Sequence, residues 1–443
     1  MNRRLAVLPL LLSLAACGEK ERPEPPRNPP PSPAVADRPL PRTPEQEAQV
    51  EALLEDLDRL EDGDESADET AAMPRGLREV APPPHGCALA TAAPIRLSAK
   101  AGPPAVTADD GLLVVAHYVT DGTNEHVVVL VEEPGASARP VGRIRIEKPR
   151  PADSRVPPGL GVVGEHRVGV AWVDRDGALR FAAFGTRPAS HPLAPRVVAE
   201  SVDARFPPAV ASIGRHILVA YTVTGETAHV KLASFEGDGA VRTVELTPPS
   251  GGASAPTFVR DAARPTLVLV DPRDGFSPIL RIGFTDEGEP TAASVVRPVT
   301  NLYDPARIAV ASGGGDLQIA YTAHGAAAAT AIGFVRGAPT APAPVSLVRP
   351  TGYGALWVDA AGSPSGAVFA SLVPVGREQG SARSLELRLV DADGLGPALA
   401  VGQGVAFPGI ARVAPGLYGV AYSTGTAVEA VFARCATLAI PTL

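Results

Sequence analysis

The feature that most constrains this chain is a repeat with a period of about fifty residues. A short apolar run ending in a small residue, usually followed by an aromatic one, recurs along the chain, for example as Val219-Ala220-Tyr221 and Val420-Ala421-Tyr422. The copies lie 55, 49, 50, 50, 50 and 51 residues apart. They are marked by Ala116, Ala171, Ala220, Val270, Ala320, Ala370 and Ala421. A period of this length is typical of β-propellers, in which each unit forms one blade.

Each unit divides into four short strands. A proline or glycine leads into the first strand, the marker run forms the second, and two alternating segments follow, such as 229–233 and 241–246. Turn pairs such as Asp110-Gly111 separate the strands, and Asp-Gly is a strong hairpin signal. We therefore expect an all-β fold over residues 87–443, a seven-bladed β-propeller of four-stranded blades. A solenoid of stacked sheets with the same period is the alternative.

The first sixteen residues have the layout of an export signal, with Arg3 and Arg4 before an apolar stretch that is too short to span a bilayer. Leu14-Ala15-Ala16-Cys17 resembles the lipobox of bacterial lipoproteins. This resemblance implies cleavage before Cys17, lipidation of its thiol and a stable membrane anchor. The next residue is Gly18 rather than Asp, which by the sorting rule of enteric bacteria implies the outer membrane, on its periplasmic face or at the cell surface. An ordinary cleaved signal with a nearby cysteine is the alternative.

Residues 17–86 are predicted to form a disordered tether, because they are rich in Pro, Glu, Arg and Ala and poor in apolar residues. Within the tether, the spacing of Val50, Leu53 and Leu57 predicts a short acidic helix over about 44–61. Twelve acidic residues lie between positions 45 and 69, so the net charge of −8 arises there and the remaining chain is close to neutral. A neutral domain without a basic patch argues against nucleic acid as a partner.

The last unit is one strand short, and segment 93–97 before the first unit resembles an unpaired outer strand. A ring closed by this N-terminal strand has no open edges, whereas a solenoid has no reason to bring its ends together. With Cys17 assigned to the anchor, Cys87 and Cys435 are the remaining cysteines, and both fall at this seam. In an oxidising compartment we expect a Cys87–Cys435 disulfide.

The pattern of a proline, an inner strand and an apolar strand ending in Ala-Tyr or Ala-Trp resembles the sialidase and BNR-repeat propellers, over nearly all of residues 88–440. For an active sialidase, this resemblance implies three arginines, a tyrosine nucleophile with a glutamate, and an acid/base aspartate. That set cannot be assigned. Arg96 lies where an early arginine is expected, but its surroundings alternate like a plain strand. The Asp-box motif of these families is absent, and Trp172–Gly177 matches it only in part.

Other catalytic signatures are equally lacking. The eight histidines show no metal-ligand spacing with a carboxylate or cysteine, and no Gly-x-Ser-x-Gly motif occurs. Gly313-Gly314-Gly315 falls in a turn between strands, so it cannot open a helix onto a phosphate. We therefore expect no metal and no cofactor, and the sequence gives no positive indication of an enzyme.

Propeller geometry indicates where a ligand would bind. The loops leading into the inner strands, which we call the inlet loops, and the loops leaving the second strands converge on one face around the channel. Arginine and aromatic side chains are enriched at binding hot spots, although an aromatic before a proline can instead pack between blades. The candidate ligand-contacting residues are Arg155, Arg205, Phe206, Arg273, Tyr303, Arg307, Tyr353 and Phe407.

The leading hypothesis is a membrane-anchored lipoprotein of the cell envelope whose non-catalytic propeller binds a protein or glycan. The alternative is a diverged sialidase-like or other glycan-active hydrolase or lyase. A channel that holds carboxylates and arginines favours the alternative, and a channel lined by Ala, Ser and Val favours binding. A third hypothesis is a structural envelope protein whose acidic helix contacts an assembly.

Overall fold

The structure is a computed structural model, and its strands belong to antiparallel sheets. It describes residues 77–78, 80–99, 102–121, 124–132, 138–150, 156–187, 193–223, 229–246, 255–271, 277–299, 308–314, 316–324, 330–336, 346–348, 357–374, 383–391 and 393–436. The described strands form seven sheets, and none of the described residues is in a helix. No helix in this described part is long and apolar enough to cross a membrane.

The strand bounds follow the repeat. Two short strands come first, β1 (Cys87–Leu89) and β2 (Ile95–Ala99). Blade 1 comprises β3 (Ala105–Asp109), β4 (Leu112–Asp121), β5 (Asn124–Glu132) and β6 (Arg139–Arg145). Blade 2 comprises β7 (Gly159–Val162), β8 (Arg167–Val173), β9 (Leu179–Gly185) and β10 (Leu193–Ala199). Blade 3 comprises β11 (Ala209–Ile213), β12 (His216–Val223), β13 (His229–Glu236) and β14 (Arg242–Glu245).

The later blades repeat this order with small departures. Blade 4 comprises β15 (Thr257–Phe258), β16 (Leu267–Val270), β17 (Ser277–Ile282) and β18 (Ser294–Val299). Blade 5 comprises β19 (Ile308–Gly313), β20 (Asp316–His324), β21 (Thr330–Arg336) and β22 (Ser346–Val348). Blade 6 comprises β23 (Val358–Gly362), β24 (Ala367–Pro374) and β25 (Arg383–Asp391), with β26 (Gly394–Leu395) and β27 (Leu399–Gln403) both paired to β25. Blade 7 comprises β28 (Ala406–Ala414), β29 (Leu417–Ser423) and β30 (Ala427–Cys435).

The blades form a closed ring. Each inner strand contacts the next one along the chain, and β28 of blade 7 returns to contact β3 of blade 1. An apolar cluster lies between each pair of neighbouring blades; the one between blades 7 and 1 joins Val106 and Leu113 to Ala411 and Phe432. An all-β propeller built on four-stranded blades is therefore confirmed, and the solenoid alternative is excluded because its two ends would not meet.

Burial on both faces explains the composition of the second strands. In β12, six of the eight residues are buried, since the strand lies in a sheet between two other sheets. Such a strand is expected to be continuously apolar rather than alternating. Inner strands of neighbouring blades also approach closely: a Cβ added to Gly161 would lie 2.0 Å from the carbonyl oxygen of Val210. Glycine is required there because no side chain fits.

The seam differs from the expectation in one respect. Strand β2 pairs with β30 as an outer strand, as predicted, but β1 pairs with β30 as well, so two short N-terminal strands complete blade 7 rather than one. In the pairing of β1 with β30, Cys87 lies directly opposite Cys435. The predicted disulfide is confirmed, with the two Cα atoms 4.0 Å apart.

The described chain begins at this seam. The Arg78 amide donates a hydrogen bond of 2.7 Å to the Ala90 carbonyl, and the Ala436 amide donates one of 2.9 Å to the Gly86 carbonyl. Leu77 packs against the cluster between blades 7 and 1. The predicted signal segment, Cys17 and the helix at 44–61 lie outside the described residues.

Candidate functional site

The inner strands surround a central channel that contains a cavity of about 520 Å³. Most of its wall consists of small residues, because the inner strands carry Ala, Val, Gly, Ser and Thr and are preceded by prolines. Among the described residues, the wall also contains four charged ones that the sequence analysis did not single out. These are Arg260, Asp261, Asp359 and Arg412.

A loop of blade 4 supplies two of these charges. The turn between the first two strands of blade 3 has two residues, whereas the corresponding turn of blade 4 has six, 260–265, between Val259 and Thr266. The longer turn enters the channel instead of projecting from its end. The Arg260 amide donates a hydrogen bond of 3.1 Å to the Val310 carbonyl, and the Ser312 amide donates one of 2.8 Å to the Arg260 carbonyl. We call residues 260–265 the channel loop.

The Arg260 side chain crosses the channel to other blades. Its guanidinium donates to the Val106 carbonyl of blade 1 and, at 3.2 Å, to Oδ2 of Asp359 in blade 6. The same carboxylate oxygen accepts a hydrogen bond of 2.9 Å from the Ile410 amide of blade 7. Burial raises the pKa of Asp359 above its usual value, and the positive charge of Arg260 opposes that shift.

Asp261 makes the second set of contacts. Its Oδ2 accepts a hydrogen bond of 2.7 Å from the Gly362 amide, and its Oδ1 lies 3.2 Å from the Arg412 guanidinium. Gly362 is the last residue of β23, so this contact lies at the end of the channel where the inner strands turn into the second strands. The channel loop therefore connects blade 4 to blades 1, 5, 6 and 7. Asp261 makes its contact with β23 at the end of that strand, whereas the Arg260 side chain reaches Val106 and Asp359 near the start of theirs.

The opposite end, where the inner strands begin, has a different composition. Trp357 directly precedes β23 and lines the cavity, and Phe407 packs against it edge to face, with ring centroids 5.2 Å apart. Phe407 has a φ of 50°, a left-handed conformation that is uncommon for an aromatic residue and holds the ring in this position. At this end, which we call the mouth, prolines before or at the start of inner strands also line the cavity. In the described part of the chain they are Pro104, Pro157, Pro158, Pro207, Pro208, Pro256 and Pro408.

The ligand-contacting residues predicted from sequence fall into two groups. None of the described ones lines the cavity itself: Phe407 packs against Trp357, which does line it, and Arg205 and Phe206 lie elsewhere. The Arg205 guanidinium binds Asp203 at 2.6 Å and lies 5.8 Å from the centre of the Phe206 ring, with 74% of its side chain exposed. The rest lie outside the described residues: Arg155, Arg273, Tyr303, Arg307 and Tyr353.

Two positions considered for sialidase-like chemistry have structural roles. Arg96 lies on β2, opposite Glu429 of β30 at the outside of blade 7, and so it is remote from the channel. In the Trp172–Gly177 segment, Asp174 accepts a hydrogen bond of 2.6 Å from Arg180, which also bonds Glu147 at 2.9 Å. These contacts connect the turn of blade 2 to the end of blade 1.

One cluster of potential metal ligands occurs among the described residues, and it lies at the seam. The cluster contains His85, Asp391 and Asp393, each of which contributes one nitrogen or oxygen atom. These three atoms lie within 4.8 Å of one another. Nδ1 of His85 lies 3.1 Å from Asp391, while Nε2 lies 3.7 Å from Asp393, so the ring stands between the two carboxylates and presents a different nitrogen to each. The hydrogen bond to Asp391 raises the pKa of His85. This arrangement fits an ion-paired imidazolium better than a metal ligand.

The sequence contained a signal for the charged residues in the channel. The inner-strand residues paired with the marker alanines are small in blades 1, 2 and 3, where they are Ala105, Gly159 and Ala209, but blade 6 has Asp359 opposite Ala370. The stretch 259–266 in blade 4 is also too long for a two-residue hairpin. Both departures could have been read as exceptions to the repeat, although neither says which blades the loop reaches.

Comparison with known proteins finds similarity in structure only. No protein-family model matches the sequence, and no curated protein matches it. The Hadza microbial sialidase Hz136 is 12% identical over 76% of this chain and 66% of that chain, with a TM-score of 0.40. The SapL1 lectin in complex with alpha methyl fucoside is 14% identical over 69% and 97% of the two chains, with a TM-score of 0.41. The β-propeller domain of the Trilobed protease from Pyrococcus furiosus is 10% identical over 77% and 94%, with a TM-score of 0.42. These similarities assign neither an activity nor a ligand to this chain.

Proposed function

We propose that this protein is a lipoprotein of the cell envelope, anchored to the outer membrane through Cys17, whose propeller binds a protein or glycan without catalysing a reaction. The tether of residues 17–86 would connect the anchor to the ring. The binding face is the one that carries the inlet loops and the channel mouth.

One observation carries the binding part of this proposal. Each charged side chain that lines the cavity is already paired with another group of the protein: Arg260 with Asp359, and Asp261 with Arg412. A catalytic acid, base or nucleophile must be able to reach substrate in the correct protonation state. Groups that connect the blades across the channel support a structural role more than a catalytic one.

Two measurements test the proposal. Cells grown with labelled palmitate should label the full chain, and Cys17→Ala should abolish both the label and the recovery of the protein in the outer-membrane fraction. The purified full chain should also retain a defined envelope protein or glycan from a membrane extract. Unchanged labelling of Cys17→Ala would overturn the anchor, and the absence of any retained component would overturn the binding role.

The raised pKa of Asp359 favours a second candidate, a glycan-active hydrolase. Burial raises the pKa of this carboxyl group, which makes it a better proton donor to a leaving group than an ordinary aspartate. Incubating the full chain with a panel of fluorogenic glycosides tests this alternative. Turnover that is lost in Asp359→Asn would replace the binding proposal by the hydrolase, whereas no turnover leaves binding as the function.

A further inference from the structure

The chain enters the ring at the seam through residues 77–86, which we call the strap. The described residues of the strap belong to no strand, so the strap lacks the continuous backbone ladder that holds a strand in a sheet. It is attached to the ring by separate contacts. The Arg78 amide donates a hydrogen bond of 2.7 Å to the Ala90 carbonyl, and Nδ1 of His85 lies 3.1 Å from Asp391. A pull on the N-terminal side of the chain reaches these contacts first.

The two short strands that complete blade 7 come next along the chain. Strand β1 has three residues and β2 has five, with an irregular register between Arg96 and Ser98. Both strands pair with β30 on its outer side, at the edge of the blade. Each backbone hydrogen bond stabilises a sheet only modestly, and a short edge strand that is loaded from one end loses its bonds one after another. Alone, β1 and β2 therefore resist a pull weakly.

These two strands also cover the interface that closes the ring. Ala90, between them, is fully buried in the cluster between blades 7 and 1, and Ile95 and Leu97 pack against that cluster. Strand β2 leads directly into β3, so it also connects blade 7 to blade 1 along the chain. Detaching residues 87–99 would expose the apolar cluster to water, which is unfavourable, and leave the two blades joined only by packing.

The disulfide lies at the first strand pair that such a pull reaches. Cys87 is the first residue of β1 and lies opposite Cys435, the last residue of β30. Tension that arrives at Cys87 therefore passes through the two sulfur atoms into β30 and bypasses β1 and β2. Strand β30 has nine residues, seven of them buried, and pairs with β29 on its inner side. The load moves from a three-residue edge strand to a nine-residue interior strand.

We propose that the Cys87–Cys435 disulfide is a mechanical latch. Tension in the tether peels the strap from the ring, stops at Cys87 and leaves the seam between blades 7 and 1 closed. This inference rests on the proposed anchor at Cys17, which supplies the tension when the ring holds a partner. It adds to that function the path by which the load enters the propeller.

Pulling on single molecules with optical tweezers tests the latch. In the oxidised chain without the signal segment and lipid, Cys17 is the one free thiol among the three cysteines. A DNA handle coupled to this thiol pulls through the same atom as the anchor. The second handle is coupled to an unnatural residue at Arg215, whose side chain is 87% exposed in the turn between β11 and β12 of blade 3.

The lengths of chain released at low force give the result. In the oxidised chain, one step should release the ten residues of the strap, at most about 35 Å of chain, and no second step should precede unfolding of the ring. In the double variant Cys87→Ala and Cys435→Ala, a second low-force step should release residues 87–104, at most about 60 Å. The ring of this variant should then unfold at a lower force.

Two controls separate the latch from other effects. His85→Ala should lower the force of the first step without adding a second one, because it weakens the strap and leaves the disulfide intact. Dithiothreitol added to the oxidised chain should convert its trace to that of the double variant, so a folding defect of the variant does not decide the result. Identical traces for the oxidised and the reduced chain would overturn the latch.

The latch and the anchor can fail separately, because the handle supplies the tension in this experiment. Palmitate labelling that is unchanged in Cys17→Ala overturns the anchor and leaves the traces as they are. Identical traces before and after reduction overturn the latch and leave the labelling result as it is.

Discussion

Replacing Glu132 with Gln should change how the stability of the ring depends on pH. Glu132 lies on β5, is 1% exposed and has no hydrogen-bond partner among the described residues. Burial raises its pKa from 4.5 to about 7. His117 on β4 is fully buried and equally unpartnered in this part of the chain, and burial lowers its pKa from 6.5 to about 4. The register of β4 and β5 places both side chains on the face that meets blade 7.

Glu132 and His117 change the pH dependence of stability in opposite directions. The folded state holds the Glu132 proton more tightly than the unfolded state, so stability falls as pH rises from 4.5 to 7. It holds the His117 proton less tightly, so stability rises as pH increases from 4 to 6.5. Each effect amounts to about 3 kcal/mol at its full extent, from roughly 1.4 kcal/mol per pKa unit. Between pH 4.5 and 6.5 the two nearly cancel, and their combined contribution is flat.

Urea denaturation from pH 4 to pH 8 measures this balance. Glu132→Gln removes the contribution of Glu132 and leaves that of His117. The free energy of unfolding should therefore rise with pH between 4.5 and 6.5 more steeply than in the unmodified chain. His117→Phe leaves only the contribution of Glu132, so the free energy of unfolding should fall between pH 4.5 and 7 relative to the unmodified chain. The test depends on the slope of the free energy of unfolding against pH, because any cost of burying the Gln amide is independent of pH. Identical slopes in all three proteins would refute the reasoning.

Two other predictions concern how the ring is held together. Replacing Cys87 and Cys435 together with Ala should lower the free energy of unfolding by up to about 5 kcal/mol, since the disulfide closes a loop with a sequence separation of 348 residues; a loss below about 1 kcal/mol in urea denaturation would contradict this. Gly161→Ala should destabilise the ring by about 1–3 kcal/mol, because the added methyl group would meet the Val210 carbonyl at 2.0 Å. Thermal unfolding measures this loss. Gly402→Ala is the matched control, because its added methyl group has its nearest contact at 3.5 Å, and it should destabilise the ring clearly less.

The repeat made most of the fold predictable. A period near fifty residues with Pro, apolar and alternating segments leaves few architectures, and each blade must be covered on both faces, which explains runs such as 217–221. The missing strand of the last unit and the positions of Cys87 and Cys435 then predicted the seam. The second closing strand, β1, was missed because three residues carry too short a pattern to be recognised.

The interior of the channel was much less predictable. Arg260 pairs with a carbonyl 154 residues before it and with Asp359, 99 residues after it, and no local pattern encodes such distances. The sequence showed that the turn of blade 4 is long, but a long turn can equally project into solvent. Choosing arginines and aromatics near inner strands included Phe407, which packs against Trp357, but missed Trp357 itself, whose position depends on how blades 6 and 7 meet.

Hydrogen exchange of the full chain with its bound partner tests most directly whether the ring binds through the channel mouth. The envelope component retained by the chain is added, and amide protection is compared with that of the chain alone. We predict new protection at 357–359 and 406–410, where two inner strands begin, and unchanged exchange on the outer strands β6, β10 and β14. Protection confined to those outer strands, with none at the mouth, would contradict the account.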